Sequence, residues 1–137
     1  IYYDLLERKE YYKASDIALI RIEQLHPLPI SKLLPVHEKY RKNLLSLWVQ
    51  EEPENMGPWQ HFQNKMGDIH PVPVTRQPSG SPATGLYKLH TIGQNEIIDK
   101  VFRKCDCELK NVYCGLQCVV GKSRKEILKQ HQYFPKI

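Results

Sequence analysis

The longest apolar stretches of this chain are the length of β-strands, and proline-rich joints separate them from segments with helical periodicity. Within Asp16–Leu25 (DIALIRIEQL), Ile17, Ala18, Leu19, Ile20 and Ile22 form a nearly continuous apolar run, and Leu44–Gln50 (LLSLWVQ) forms another. Such runs suit strands buried on both faces, as in a parallel sheet. They fall well short of the roughly 20 apolar residues that a membrane-spanning helix requires. Residues 71–77 (PVPVTRQ) give a third, shorter strand signal. Between these lie helical patterns. Tyr2, Leu5, Leu6, Lys9 and Tyr12 share one face of a helix over 2–13. Ser31 can cap a helix reaching about Asn43, and Asn55 one that ends near Lys65 and carries Trp59, Phe62 and Met66. Ile92, Ile97, Ile98, Val101 and Phe102 fall within a last helix over about 88–104. The alternation predicts an α/β fold: a mostly parallel sheet with helices on both faces.

Charge divides the chain in two. Residues 1–102 hold 12 Lys+Arg against 12 Asp+Glu, while residues 103–137 hold 8 against 3, which supplies the whole excess of +5. A neutral body argues against a nucleic-acid groove, because phosphate binding needs clustered cations. The basic segment also contains all four cysteines, Cys105, Cys107, Cys114 and Cys118. Their C-x-C and C-x3-C spacing lacks the matched knuckles of structural zinc sites, so ordinary reduced thiols are the simpler reading and a metal-binding tail the alternative. We therefore divide the chain into a domain over 1–102 and a basic, Cys-containing extension over 103–137. The start at Ile1, with no basic and apolar leader pattern, suggests a cut within a longer chain.

No residue set announces catalysis or a metal site. The six histidines are scattered without an i, i+4 pair, and Ser79-Gly80-Ser81-Pro82 is not a G-x-S-x-G nucleophile turn. Glu51 and Glu52 follow an apolar strand, and ligands of α/β folds bind beyond the carboxyl ends of strands. Adjacent strand residues face opposite ways, however, so both carboxylates address one substrate only if the backbone turns between them. Arg76 stands just before PSGSPATG (78–85), a loop whose Pro, Gly, Ser and Thr content suits no regular element and which can form a small anion nest. His90 follows it.

Three segments in order, RIEQLHPLP (21–29), WVQEEPENMGPW (48–59) and PSGSPATG with Lys88 and His90, resemble the thiamine diphosphate-dependent, decarboxylating component of 2-oxoglutarate dehydrogenases. YYDLLERK (2–9) is similar to the family segment that follows the first strand of its last domain. The resemblance implies a transketolase carboxy-terminal-like fold whose first strand precedes Ile1. It implies a parent enzyme that decarboxylates 2-oxoglutarate on thiamine diphosphate with Mg2+ and passes the succinyl group to a lipoyl arm. The 2-oxoadipate-specific relative is an alternative. Gly67-Asp68 is followed by Ile69, so the family's G-D-G cofactor motif fails here, and no catalytic or cofactor-binding residue is assigned to this chain. Expected partners are the rest of the subunit, a homodimer partner and the lipoyl-bearing succinyltransferase component, with neither nucleic acid nor membrane. The expected compartment is the bacterial cytoplasm, or the mitochondrial matrix. Arg21, Gln50, Glu51, Glu52, Arg76, Ser81 and His90 are the candidate contacts at a domain seam or effector pocket; an effector-binding or assembly module is the competing function.

Overall fold

A computed structural model describes residues 1–40, 46–66 and 69–102. The cysteine-bearing extension and Gly67-Asp68 lie outside the described residues, and so do the expectations placed on them. In chain order the elements are α1 (Tyr2–Tyr11), α2 (Ile30–Lys39), β1 (Leu47–Pro53), α3 (Trp59–Lys65), β2 (Val72–Arg76) and α4 (Tyr87–Phe102). None of the described helices is long and apolar enough to cross a membrane.

β1 and β2 run parallel, pairing Leu47 with Val72, Trp48 with Pro73 and Val49 with Val74. Period-two alternation sends neighbouring side chains of β1 to opposite sides. Leu47 and Val49 pack with Val74 against Leu5 of α1 and Ile97, Ile98, Val101 and Phe102 of α4. Trp48 instead joins Trp59 and Phe62 of α3, Met66 and Ile69, with Ile30 and Leu33 of α2 at the margin. The rings of Trp48 and Phe62 lie 4.1 Å apart between centroids. Helices thus cover both faces of a parallel sheet, as the apolar patterning requires. Each large side chain buried this way contributes about 1.5–3 kcal/mol of transfer free energy, which makes the two cores, rather than helix propensity, the main support of these short elements.

The ladder breaks after Val49. The next paired residues are Pro53 and Arg76, so β1 advances four residues where β2 advances two. Pro53 has no N–H to continue the ladder, and the Glu54 N–H takes over, donating to the Arg76 carbonyl at 3.0 Å. Gly57 closes the turn that follows at φ +69°, and a β-carbon there would stand 3.0–3.1 Å from the Glu52 side chain, so glycine is required on both counts.

Three local expectations need correction. Asp16–Leu25 is not a strand: among the described residues β1 pairs only with β2. The segment lies on the cores one-sidedly, with Ile17 and Leu19 against the first and Ile22 against the second, while Ala18, Ile20 and Arg21 are exposed. A continuous apolar run implies two-sided burial, but here Ile17, Leu19 and Ile22 face the cores while Ala18, Ile20 and Arg21 face outward. Ser31 does not cap α2, which starts at Ile30 with Pro29 as its cap residue and no side-chain bond. Asn55 does not cap α3, which starts at Trp59 behind Pro58; its amide is engaged elsewhere.

Candidate functional site

The bulge in β1 sets the site. By interrupting the ladder it releases Gln50 and Glu51 from plain alternation, at the carboxyl end of the parallel strands. Gln50 turns inward and is buried. Its Oε1 accepts from Trp48 Nε1 at 2.8 Å, and its Nε2 donates to the carbonyls of Met56 at 2.8 Å and Pro53 at 3.2 Å. Its amide nitrogen holds the turn that follows, and its oxygen ties back to the Trp48 indole.

Glu51 faces α4 and α1. Its Oε1 accepts from Gln94 Nε2 at 2.6 Å and pairs with the Ile1 amino group at 2.7 Å. The same Gln94 amide donates to Asp4 Oδ2 at 2.7 Å, so a single side chain of α4 ties β1 to α1. Partial burial works to raise the Glu51 pKa, but the Ile1 ammonium, the Gln94 amide and a smaller charge effect from His90 outweigh it and hold the carboxyl below its ordinary value. A carboxylate so held is in the wrong form to donate a proton near neutrality.

Arg76 ends β2 and lies across α4. Its Nε would sit 3.5 Å from a β-carbon on Gly93, and its Nη2 donates to His90 Nδ1 at 3.0 Å. Arginine has no acceptor, so His90 accepts at Nδ1 and carries any single ring proton on Nε2. His90 and Gln94 stand at i, i+4 on α4 and therefore share a face. Beside them, between α1 and α4, runs a cleft of about 610 Å³ lined in part by Asp4, Tyr11, Tyr87, Thr91 and Gln94. Arg76 Nε and Gln94 Oε1 are buried with no hydrogen-bond partner among the described residues.

The structure thus brings together three of the seven sequence candidates: Glu51, Arg76 and His90. The other four lie apart. Glu52 packs its side chain on Gly57. Arg21 donates to the Tyr3 hydroxyl at 3.2 Å, pairs with Glu23 and stacks its guanidinium 4.9 Å from the Tyr2 ring centroid. Ser81 is occupied within its own loop, its N–H donating to Ser79 Oγ at 3.1 Å and its hydroxyl to the Ala83 carbonyl at 2.8 Å. Gln50 is the buried brace already described. Sequence reasoning missed Asp4, Gln94 and Asn55. Asn55 donates to the Ser79 carbonyl at 2.9 Å and accepts from the Ser79 N–H at 3.0 Å, fastening the loop after β1 to the loop after β2. Polar residues on otherwise amphipathic helices and loops carry no spacing signal that marks them.

As built, the cluster is a set of braces among β1, β2, α1 and α4, without a nucleophile and base in contact. A family profile described as 2-oxoglutarate dehydrogenase C-terminal matches residues 1–102, which include every element above. The 2-oxoglutarate dehydrogenase E1/E2 component of Corynebacterium glutamicum is 37% identical over 107 residues, 74% of this chain and 9% of that protein. The multifunctional 2-oxoglutarate metabolism enzymes of two Mycobacterium sp. strains, KMS and MCS, are 37% identical over 108 residues, 74% of this chain and 8% of each relative. The chain therefore spans less than a tenth of the length of these curated relatives, and through residues 1–102 it belongs to the 2-oxoglutarate dehydrogenase C-terminal family.

Proposed function

We propose that this chain is the structural, interface-forming carboxy-terminal part of an enzyme that oxidatively decarboxylates 2-oxoglutarate and delivers the succinyl group to a lipoyl-bearing succinyltransferase component. The observation that carries the reading is the family match over residues 1–102 together with relatives named for 2-oxoglutarate dehydrogenation and metabolism. Thiamine diphosphate and Mg2+ are assigned to other parts of the parent protein. In support, the Glu51 carboxylate is already engaged by the Gln94 amide at 2.6 Å. The parent works as a homodimer in the bacterial cytoplasm, the compartment suggested by bacterial relatives.

The test is turnover by the full-length parent, supplied with thiamine diphosphate and Mg2+, using an artificial electron acceptor. Oxidation of 2-oxoglutarate is the expected result, with none from the isolated 137-residue chain. Turnover of 2-oxoadipate in its place would move the substrate assignment to the longer oxo acid.

A further inference from the structure

Helices α1 and α4 lie side by side and advance in the same direction. Asp4 accepts from Gln94 at 2.7 Å, Arg8 donates to Asp99 at 3.3 Å, and the rings of Tyr12 and Phe102 are 6.0 Å apart between centroids. The cleft of about 610 Å³ follows this seam. Tyr11 and Tyr87, 77% and 84% exposed, offer it open rings, and Asp4 and Glu7 add two carboxylates. Among the described residues the one Lys or Arg in its lining is Arg8, already answered by Asp99, whereas Glu7 is exposed and has no ion-pair partner among them. Tyrosine rings beside carboxylates select ammonium and guanidinium groups, because the ring quadrupole and the carboxylate charge both attract cations. Arg8, seated 5.9 Å from the Tyr12 ring centroid, displays that chemistry within the cleft.

The complementary charge belongs to the same chain. Residues 1–102 balance 12 Lys+Arg with 12 Asp+Glu, and the whole excess of +5 lies in residues 103–137, where it is unevenly spread. Residues 103–110 set three cations against two carboxylates, residues 111–121 carry no charge, and residues 122–129 set Lys122, Arg124, Lys125 and Lys129 against Glu126 alone. This extension follows directly on Phe102, whose ring meets Tyr12 at one end of the seam. The 16 residues of α4 span about 24 Å, while residues 103–121 cover up to roughly 60 Å when extended. The cations of 122–129 are therefore within reach of every part of the cleft.

We propose that residues 122–129 of the extension dock in the cleft between α1 and α4, their ammonium and guanidinium groups taken up by Asp4, Glu7 and the rings of Tyr11 and Tyr87. Attachment to one wall of the cleft holds the segment at an effective concentration on the order of millimolar, so exposed charge pairs that are individually weak suffice together. The docking is independent of what the parent catalyses. It gives the basic extension a task that its cysteine spacing does not announce, namely closing the seam between two helices of the domain it follows.

The experiment uses the full-length parent with Tyr87→p-benzoylphenylalanine and, separately, Tyr11→p-benzoylphenylalanine, irradiated and then digested for mapping. The expected product, from at least one position, is a link to residues 122–129 that runs at single-chain mass on a denaturing gel. Combining Arg124→Glu with Lys125→Glu should cut its yield about tenfold, because two attractions become repulsions, and added salt should weaken it in the same sense. Unchanged tryptophan fluorescence from Trp48 and Trp59, which lie in the second core, checks that the fold stands in every variant. Links that fall on any other segment, a predominance of doubled-mass product, no link from either position, or a link indifferent to the charge reversal would each overturn the proposal.

Discussion

At the scale of single residues, Gln50 and Glu51 are neighbours with opposite duties. Gln50 satisfies the Trp48 indole N–H and the Pro53 and Met56 carbonyls in a buried setting. Gln50→Ala leaves those groups unpaired, which costs about 1–3 kcal/mol, read as a lower urea midpoint at unchanged slope. Gln50→Glu is expected to be worse, since an ionised carboxylate cannot donate to those carbonyls. For Glu51 the consequence is in pH. Its folded pKa is depressed, so its contribution to stability is fully present above the unfolded value of roughly 4.3 and is lost as pH falls through the lower folded value. Gln94→Leu removes the amide that donates to Glu51 at 2.6 Å. The Glu51 carboxyl should then titrate at higher pH, as followed by its side-chain carboxyl carbon in NMR; an unmoved titration would mean that Gln94 has no share in the depression.

Among elements, the least obvious join is the Asn55 clamp between the loop after β1 and the loop after β2. Asn55→Ala removes both bonds to Ser79. Because the site is exposed, global stability should fall by only about 0.5–1.5 kcal/mol, while amide exchange at Ser79 accelerates markedly; an unchanged Ser79 amide would show that the loop holds itself. This clamp also explains what the sequence left unread. α1 and α4 were legible to within a few residues, because burial of Leu5 and of Ile97, Ile98, Val101 and Phe102 follows helical spacing. The start of α3 was not, because the Asn55 side chain reaches a partner 24 residues away instead of the nearby helix N–H groups. β1 was found but ended too early, since a bulge has no signature in composition. Asp16–Leu25 was misread because an apolar run fixes neither a ladder partner nor the number of covered sides. In the site, Glu51, Arg76 and His90 were picked out by their position after strands and a loop. Asp4 and Gln94, which complete the cluster, are set by the packing of α1 on α4.

For the molecule as a body, both cores lean on one pair of strands. Ile97, 1% exposed, belongs to the first core, and the chain's two tryptophans, Trp48 and Trp59, belong to the second. Ile97→Ala should cost about 2–5 kcal/mol. Since β1 serves both sides, tryptophan fluorescence and far-ultraviolet circular dichroism should report the same shifted midpoint; separate transitions would show that the cores melt independently. The same shared strand dictates where this domain can vary in length. Trp48 and Val49 are chain neighbours pointed at different interiors, and inserting or deleting one residue ahead of them would drive an indole into a space shaped for valine and a valine into one shaped for an indole. Descendants of this sequence are therefore free to lengthen or shorten the exposed stretch from Pro82 to Gly85, between the Ser79 clamp and the start of α4, whereas gaps within Leu47–Val49 are closed to them.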